Sequence, residues 1–106
     1  MENLEWGKVK TFGRPPSPRY QHSAVVVDDT LYIMGGGCFL PCTDKMDVYA
    51  LDLLTFTWSK VKTSGHVPPS RVAHSCNYDP AGHALYIWGG FSATMDRLSD
   101  FYKLDL

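Results

Sequence analysis

Two histidines in this chain each stand beside a serine, His22 before Ser23 and His74 before Ser75. Each also follows an arginine by three residues, Arg19 and Arg71. Serine next to imidazole suggests nucleophilic catalysis, which also needs a third group to orient the base, and no such set can be assembled locally. The recurrence of one histidine at matched positions fits a repeated structural hydrogen bond better than two active sites. Arg19 has Asp47 or Asp52 as possible partners, and Arg71 has Asp100 or Asp105. A structural ion pair and a ligand-binding arginine are both open for these two. Cys38 and Cys42, with three residues between them, would supply half of a zinc site, but no second ligand pair lies at metal-site spacing, so two loop thiols are expected. Gly35-Gly36 and Gly89-Gly90 would suit a phosphate cradle only if a helix followed, and none does. Glycine at a strand end, where the neighbouring backbone approaches closely, is the expected role. Tyr49, Trp58 and Tyr102 are read as packing aromatics rather than ligand platforms.

These residues recur in order. Arg19, His22, the run Leu31-Tyr-Ile-Met-Gly-Gly36 and Asp47-Val-Tyr-Ala-Leu-Asp-Leu53 return as Arg71, His74, Leu85-Tyr-Ile-Trp-Gly-Gly90 and Asp100-Phe-Tyr-Lys-Leu-Asp-Leu106. The offsets are 52 to 54 residues. A period near 50 marks units that bury their faces only by stacking on neighbours. Short β-branched and aromatic runs, punctuated by Gly, Pro, Asp and Ser, predict four strands per unit and no helix. In the first unit the runs are Ser23–Val27, Leu31–Met34, Asp47–Leu53 and Phe56–Val61, after which the motif starts again. The opening Trp6-Gly-Lys-Val-Lys-Thr11 matches Trp58-Ser-Lys-Val-Lys-Thr63, so residues 4–10 are expected to form a fourth strand without its own first three.

Arg-x-x-His, Leu-Tyr-Ile-x-Gly-Gly, Asp-x-Tyr-x-Leu-Asp, a tryptophan and then Gly-x-x-Pro together resemble the kelch repeat, across essentially the whole chain. The resemblance implies an all-β, kelch-type β-propeller segment: two blades of four-stranded antiparallel sheet in circularly shifted phase, D-ABCD-ABC. Residues 4–18 would be strand D and loop of a preceding or closing blade, 19–62 the first blade, and 71–106 a second blade without its own strand D. Leu51 and Leu104 depart from the pattern by standing where many kelch repeats carry a second aromatic.

In such a meander the B–C and D–A connections share one end, and the A–B and C–D turns share the other. The long connections, 37–45, 63–70 and 91–98, would all lie at the first end. The expected protein-binding residues there are Arg19, Gln21, Phe39, Leu40, Arg71, Phe91, Met95 and Arg97. The expected structural set is Gly35, Gly36, Gly89, Gly90, Tyr49, Trp58, Tyr102, His22 and His74.

The expected function is a non-catalytic module that binds a protein or peptide, without a cofactor. The resemblance adds substrate recognition for a ubiquitin ligase, through a run from Arg19 to Gly37 similar to adaptors that capture peptide C-termini. Alternatives are a propeller enzyme of galactose-oxidase-like or small-metabolite type, and a structural or cytoskeletal scaffold. A net charge of −1 without a basic run argues against nucleic acid as partner, and no apolar stretch is long enough to span a bilayer. The further partners expected are the remaining blades, or other copies that close the ring. The acidic opening residues lack an apolar signal core, and the three cysteines are an odd set, so free thiols and a cytoplasmic or nuclear setting are expected.

Overall fold

In the computed structural model of the chain, residues 3–38, 40–41 and 45–106 are described, with 38, 40 and 41 described by backbone alone. Among them there are ten strands and no helix. The first sheet runs β1(Phe12–Gly13), β7(Thr57–Lys60), β6(Val48–Asp52), β3(Thr30–Met34), β2(Ser23–Val27). The second runs β10(Phe101–Asp105), β9(Ala84–Trp88), β8(Ser75–Asp79). A two-residue hairpin, β4(Gly37–Cys38) with β5(Leu40–Pro41), stands apart from both. In propeller letters β2, β3, β6 and β7 are strands A to D of one blade, and β8, β9 and β10 are A to C of the next. Each strand expected within the two blades is present, to within two residues at its ends.

The turns follow from local side-chain chemistry. Asp52 Oδ1 accepts from the backbone N–H of Leu54 (2.8 Å) and Thr55 (3.2 Å), closing the C–D turn. Asp79 Oδ1 accepts from Ala81 N–H (3.2 Å) in the second A–B turn. Aspartate is favoured here because its short carboxylate mimics a turn carbonyl.

The register decides which side chains meet. Ser23 opposes Met34 and Val25 opposes Tyr32, while Met34 opposes Val48 and Tyr32 opposes Ala50. Because side chains alternate, this set shares one face. In the second sheet Cys76 opposes Ile87 and Tyr78 opposes Leu85, with Tyr102 and Leu104 beyond them. The two faces close on each other: Val27, Met34, Met46 and Val48 pack with Leu85 and Ile87, flanked by Tyr32, Cys76, Tyr78, Tyr102 and Leu104. The core is therefore the seam between blades. Of the aromatics expected between blades, Tyr102 lies in this seam, whereas Tyr49 and Trp58 lie on the outward face of the first sheet, half-buried.

One expectation needs correction. Residues 4–10 form no strand, and Leu4 and Trp6 are fully exposed. A fourth strand must pair with a third, and within this chain the segment lies against none. The strand that does precede the first blade is β1, parallel to β7, with Phe12 N–H donating to Phe56 C=O (2.8 Å).

Candidate functional site

Both arginines are spent on clamping loops. Arg71 Nη1 donates to Gly89 C=O (3.2 Å) and to Asp100 Oδ1, Nη2 donates to Asp100 Oδ2 (3.1 Å), and Nε donates to Pro69 C=O (3.3 Å). Arg19 repeats this on Gly35 C=O (3.0 Å) and both carboxylate oxygens of Asp47 (3.0 and 3.1 Å). Each guanidinium lies over the matched tyrosine ring, Arg19 over Tyr49 at 5.7 Å and Arg71 over Tyr102 at 5.5 Å. Hydrogen bonding from Arg71 holds the Asp100 carboxyl below the usual carboxylate range. The partners are thus Asp47 and Asp100; Asp52 caps its turn, and Asp105 meets Lys103 at the surface (3.3 Å). Arg71 is wholly buried and the Arg19 side chain nearly so. Both are corrected from the expected binding set, because their donor nitrogens are taken up within the chain, those of Arg19 that miss the clamp by Ser17 C=O (3.2 Å) and Ser17 Oγ (3.1 Å).

The histidines do not pair with their neighbouring serines. His74 Nε2 lies 2.8 Å from Ser23 Oγ of the other blade. The tautomer that fits has Nε2–H donating to Ser23, whose hydroxyl donates onward to Met34 C=O (3.4 Å). It leaves buried Nδ1 as a bare lone pair, less costly than an orphaned N–H. Burial, with Arg71 and His22 adding to it, pulls the imidazole down to about 4. Both partners are buried and nothing orients Nδ1, so this Ser–His pair is a stitch between blades. His22, its counterpart, is exposed. Burial also pushes the Cys76 thiol up to about 11, which makes it a poor nucleophile.

Backbone bonds complete the seam: Gly36 N–H to Arg71 C=O (2.9 Å), and Ala73 N–H to Gln21 C=O (2.8 Å). At Gly35 an added Cβ would sit 2.8 Å from His74 Cε1 and 2.9 Å from Arg71 C=O, and φ is +63°. Gly36, Gly89 and Gly90 share the left-handed conformation.

What projects beyond these clamps is the loop end. Met46 N–H donates to Pro68 C=O (3.0 Å), and Val72 and Phe91 exchange bonds (3.0 and 2.9 Å), so B–C and D–A connections do lie together. The second B–C loop closes on Ser92, whose Oγ accepts from the N–H of Thr94 and Asp96 (both 3.3 Å). Its tip is Met95, 61% exposed and at φ +64°, with Arg97 exposed beside it. Phe91 is half-buried, held by bridges to Val72 and Arg97. Gln21 is exposed at φ +60°. Phe39, the Leu40 side chain and the possible Cys38–Cys42 metal pair lie outside the described residues. Sequence reasoning passed over Tyr20, an exposed aromatic between Arg19 and Gln21. Its signal was the mismatch with Val72, its counterpart in the other repeat. Among the described residues no three His, Cys, Asp or Glu are placed to share a metal ion.

Meander sheets packed face to face, with arginine clamps holding their long connections at one end, define a β-propeller of repeated blades. A family model described as the KLHDC2/KLHL20/DRC7 Kelch-repeats domain matches residues 36–106, and the chain belongs to the kelch-repeat family. It is similar to rice (Oryza sativa subsp. japonica) acyl-CoA-binding domain-containing protein 6, 41% identical over 93 residues, covering 80% of this chain and 13% of that protein. It is 35% identical over 102 residues to the N-(sulfonatooxy)prop-2-enimidothioate sulfolyase of Thlaspi arvense, covering 95% of this chain and 29% of that protein. It is 36% identical over 101 residues to the Rab9 effector protein with kelch motifs of Xenopus laevis, covering 92% and 25% respectively. The chain thus spans less than a third of the length of each of these relatives.

Proposed function

We propose that this chain is the part of a kelch propeller that binds a protein or peptide through its B–C/D–A loop end, without catalysis of its own. The observation that supports this most is the division of labour at that end. The repeated charged groups are consumed in clamps, while the unrepeated Gln21, Met95 and Arg97 stand outside them. Aromatic and arginine side chains on rigid supports are favoured interface anchors, and methionine adapts to varied surfaces. The name of the Xenopus relative, a Rab9 effector, agrees with a protein partner. Substrate recognition for a ubiquitin ligase is the narrower form of the proposal. It rests on the Arg19-to-Gly37 run and would require capture of peptide C-termini.

The test is a peptide array with free and amidated C-termini, probed with the chain and its variants. Met95→Ala and Arg97→Ala should each weaken binding, while Thr55→Ala at the opposite end should not. Loss of binding through Thr55→Ala alone would place the site at the wrong end. The sulfolyase relative favours a second reading, catalysis within a longer propeller. Turnover of a small thioester-like or sulfated substrate, abolished by a loop-end substitution, would establish it instead.

A further inference from the structure

The two arginine clamps differ at one nitrogen. Arg19 and Arg71 each send Nε to the backbone carbonyl two residues back, Ser17 C=O (3.2 Å) and Pro69 C=O (3.3 Å). Each also sends Nη1 to a glycine carbonyl and to the paired aspartate. They part at Nη2. Arg71 places it on Asp100 Oδ2 (3.1 Å), whereas Arg19 holds both Asp47 oxygens from Nη1 alone and gives Nη2 to Ser17 Oγ (3.1 Å). Nη2 carries two N–H groups, and the second has no partner among the described residues. The counterpart of Ser17 in the other clamp is Pro69. One clamp alone therefore sets a hydroxyl beside a guanidinium edge that no carboxylate occupies.

The segment carrying Ser17 is open to a modifying enzyme. Ser17 is exposed, and residues 14–17 belong to no strand. Pro15, Pro16 and Pro18 fix the backbone on both sides of it, and a residue before proline is held in the extended region. No other serine or threonine of the chain precedes a proline.

We infer that Ser17 is a phosphorylation site for a proline-directed serine kinase, and that Arg19 receives the phosphate. The co-reactant is ATP. Ser17 Oγ forms the new bond to the γ-phosphorus, the bond from that phosphorus to the β–γ bridging oxygen breaks, and ADP leaves. The hydroxyl proton passes to the base of the kinase. A phosphoserine brings a charge of about −2 and three acceptor oxygens. Nη2 already stands beside the oxygen to be esterified, so it meets the phosphate through charge-assisted bonds while Nη1 stays on Asp47. The Arg19–Asp47 pair, neutral as it stands, becomes with its phosphate a site of about −2. The other clamp has no equivalent, because Pro69 lacks a hydroxyl and Arg71 Nη2 is on Asp100.

Two measurements on the whole chain test this. Incubated with a proline-directed serine kinase and ATP, the wild-type chain should gain one phosphoryl group by mass spectrometry, and Ser17→Ala should lose it. Absence of incorporation into the folded chain, with the kinase active on a generic Ser-Pro peptide, would overturn the site. Reception by Arg19 is read from a phosphorus NMR titration of the phosphorylated chain. Free phosphoserine releases its second proton at about pH 6. A guanidinium alongside favours the dianion, so the folded chain should titrate about one unit below the same chain in urea. Arg19→Gln combined with Asp47→Asn removes both charges of the clamp and leaves no unpaired buried carboxylate, and it should abolish the shift. A shift that survives in this double variant would assign it to another cation and overturn the receiver. Equal titration of the folded and urea-unfolded wild type, a comparison that needs no variant to fold, would overturn it as well.

Discussion

The stitch between His74 and Ser23 makes this fold acid-sensitive in a defined window. In the unfolded chain the His74 imidazole titrates near 6.5, its ordinary value. In the folded chain it is held at about 4, chiefly by burial and further by Arg71 and His22. The native state therefore binds fewer protons than the unfolded state between those two values. The stabilising contribution is complete above pH 6.5 and is lost as pH falls through the window, levelling near pH 4. At about 1.4 kcal/mol per pKa unit, the loss from pH 7 to pH 4 is on the order of 3 kcal/mol. The residue is buried, so little of this is screened by solvent. For a domain whose whole stability is about 5–15 kcal/mol, that is a large fraction. The carboxyl of Asp100, also lowered, acts below the unfolded aspartate value and so lies under this window. Urea unfolding at half-unit pH steps measures the slope. His74→Gln keeps a donor for Ser23 and removes the proton site, so its stability should be nearly flat from pH 6.5 to 4. A variant with the wild-type slope would refute the assignment of the window to His74, and a flat wild-type curve would refute the buried neutral imidazole itself.

Two substitutions separate strain from crowding. An added Cβ at Gly36 would lie 2.7 Å from His22 Cβ at φ +85°, whereas Gly65, at φ +84°, has nothing within 4 Å. Gly36→Val should cost several kcal/mol and Gly65→Ala about 1 kcal/mol, read as a Tm fall of about 4–8 °C per kcal/mol in a chain of this size. Arg71→Met should cost about 3 kcal/mol in urea unfolding, the low end for a broken buried pair, because Asp100 is 39% exposed and can rehydrate. Arg71→Lys should recover only part of that, since a lysine cannot span Gly89 C=O and both Asp100 oxygens.

The blades were legible because their strands alternate and their turns carry aspartate and glycine at the positions the backbone demands. Val48–Asp52 and Phe101–Asp105 announce themselves in this way. The two-residue β1 was not legible, since Phe12–Gly13 is too short to show a period and pairs in parallel with a distant strand. Residues 4–10 show the opposite failure. Their match to strand D says which kind of slot they fit, and nothing in a linear pattern says which copy of that slot they lie in. The serine–histidine pairing escaped for a related reason: a repeat sets His22 beside Ser23 and His74 beside Ser75, while the bond runs from the second histidine to the first serine.

That crossing is the key to separating fold from function here. At the clamps and the seam, positions that the repeats share serve the repeat itself: Arg71 on Asp100, Arg19 on Asp47, His74 on Ser23 and Gly36 on Arg71. Where the repeats differ at one structural position, geometry alone does not account for the residue. Tyr20 stands where Val72 does, Gln21 where Ala73 does, and Gly37 where Phe91 does, each at the loop end. Gln21 and Ala73 even share φ +60°, so the backbone constrains both alike while the side chains diverge. Divergence under identical constraint leaves the exposed Gln21 side chain to serve something outside the blade. In a propeller of such units, substitutions at shared positions should lower stability throughout, and substitutions at divergent loop-end positions should alter which partner binds.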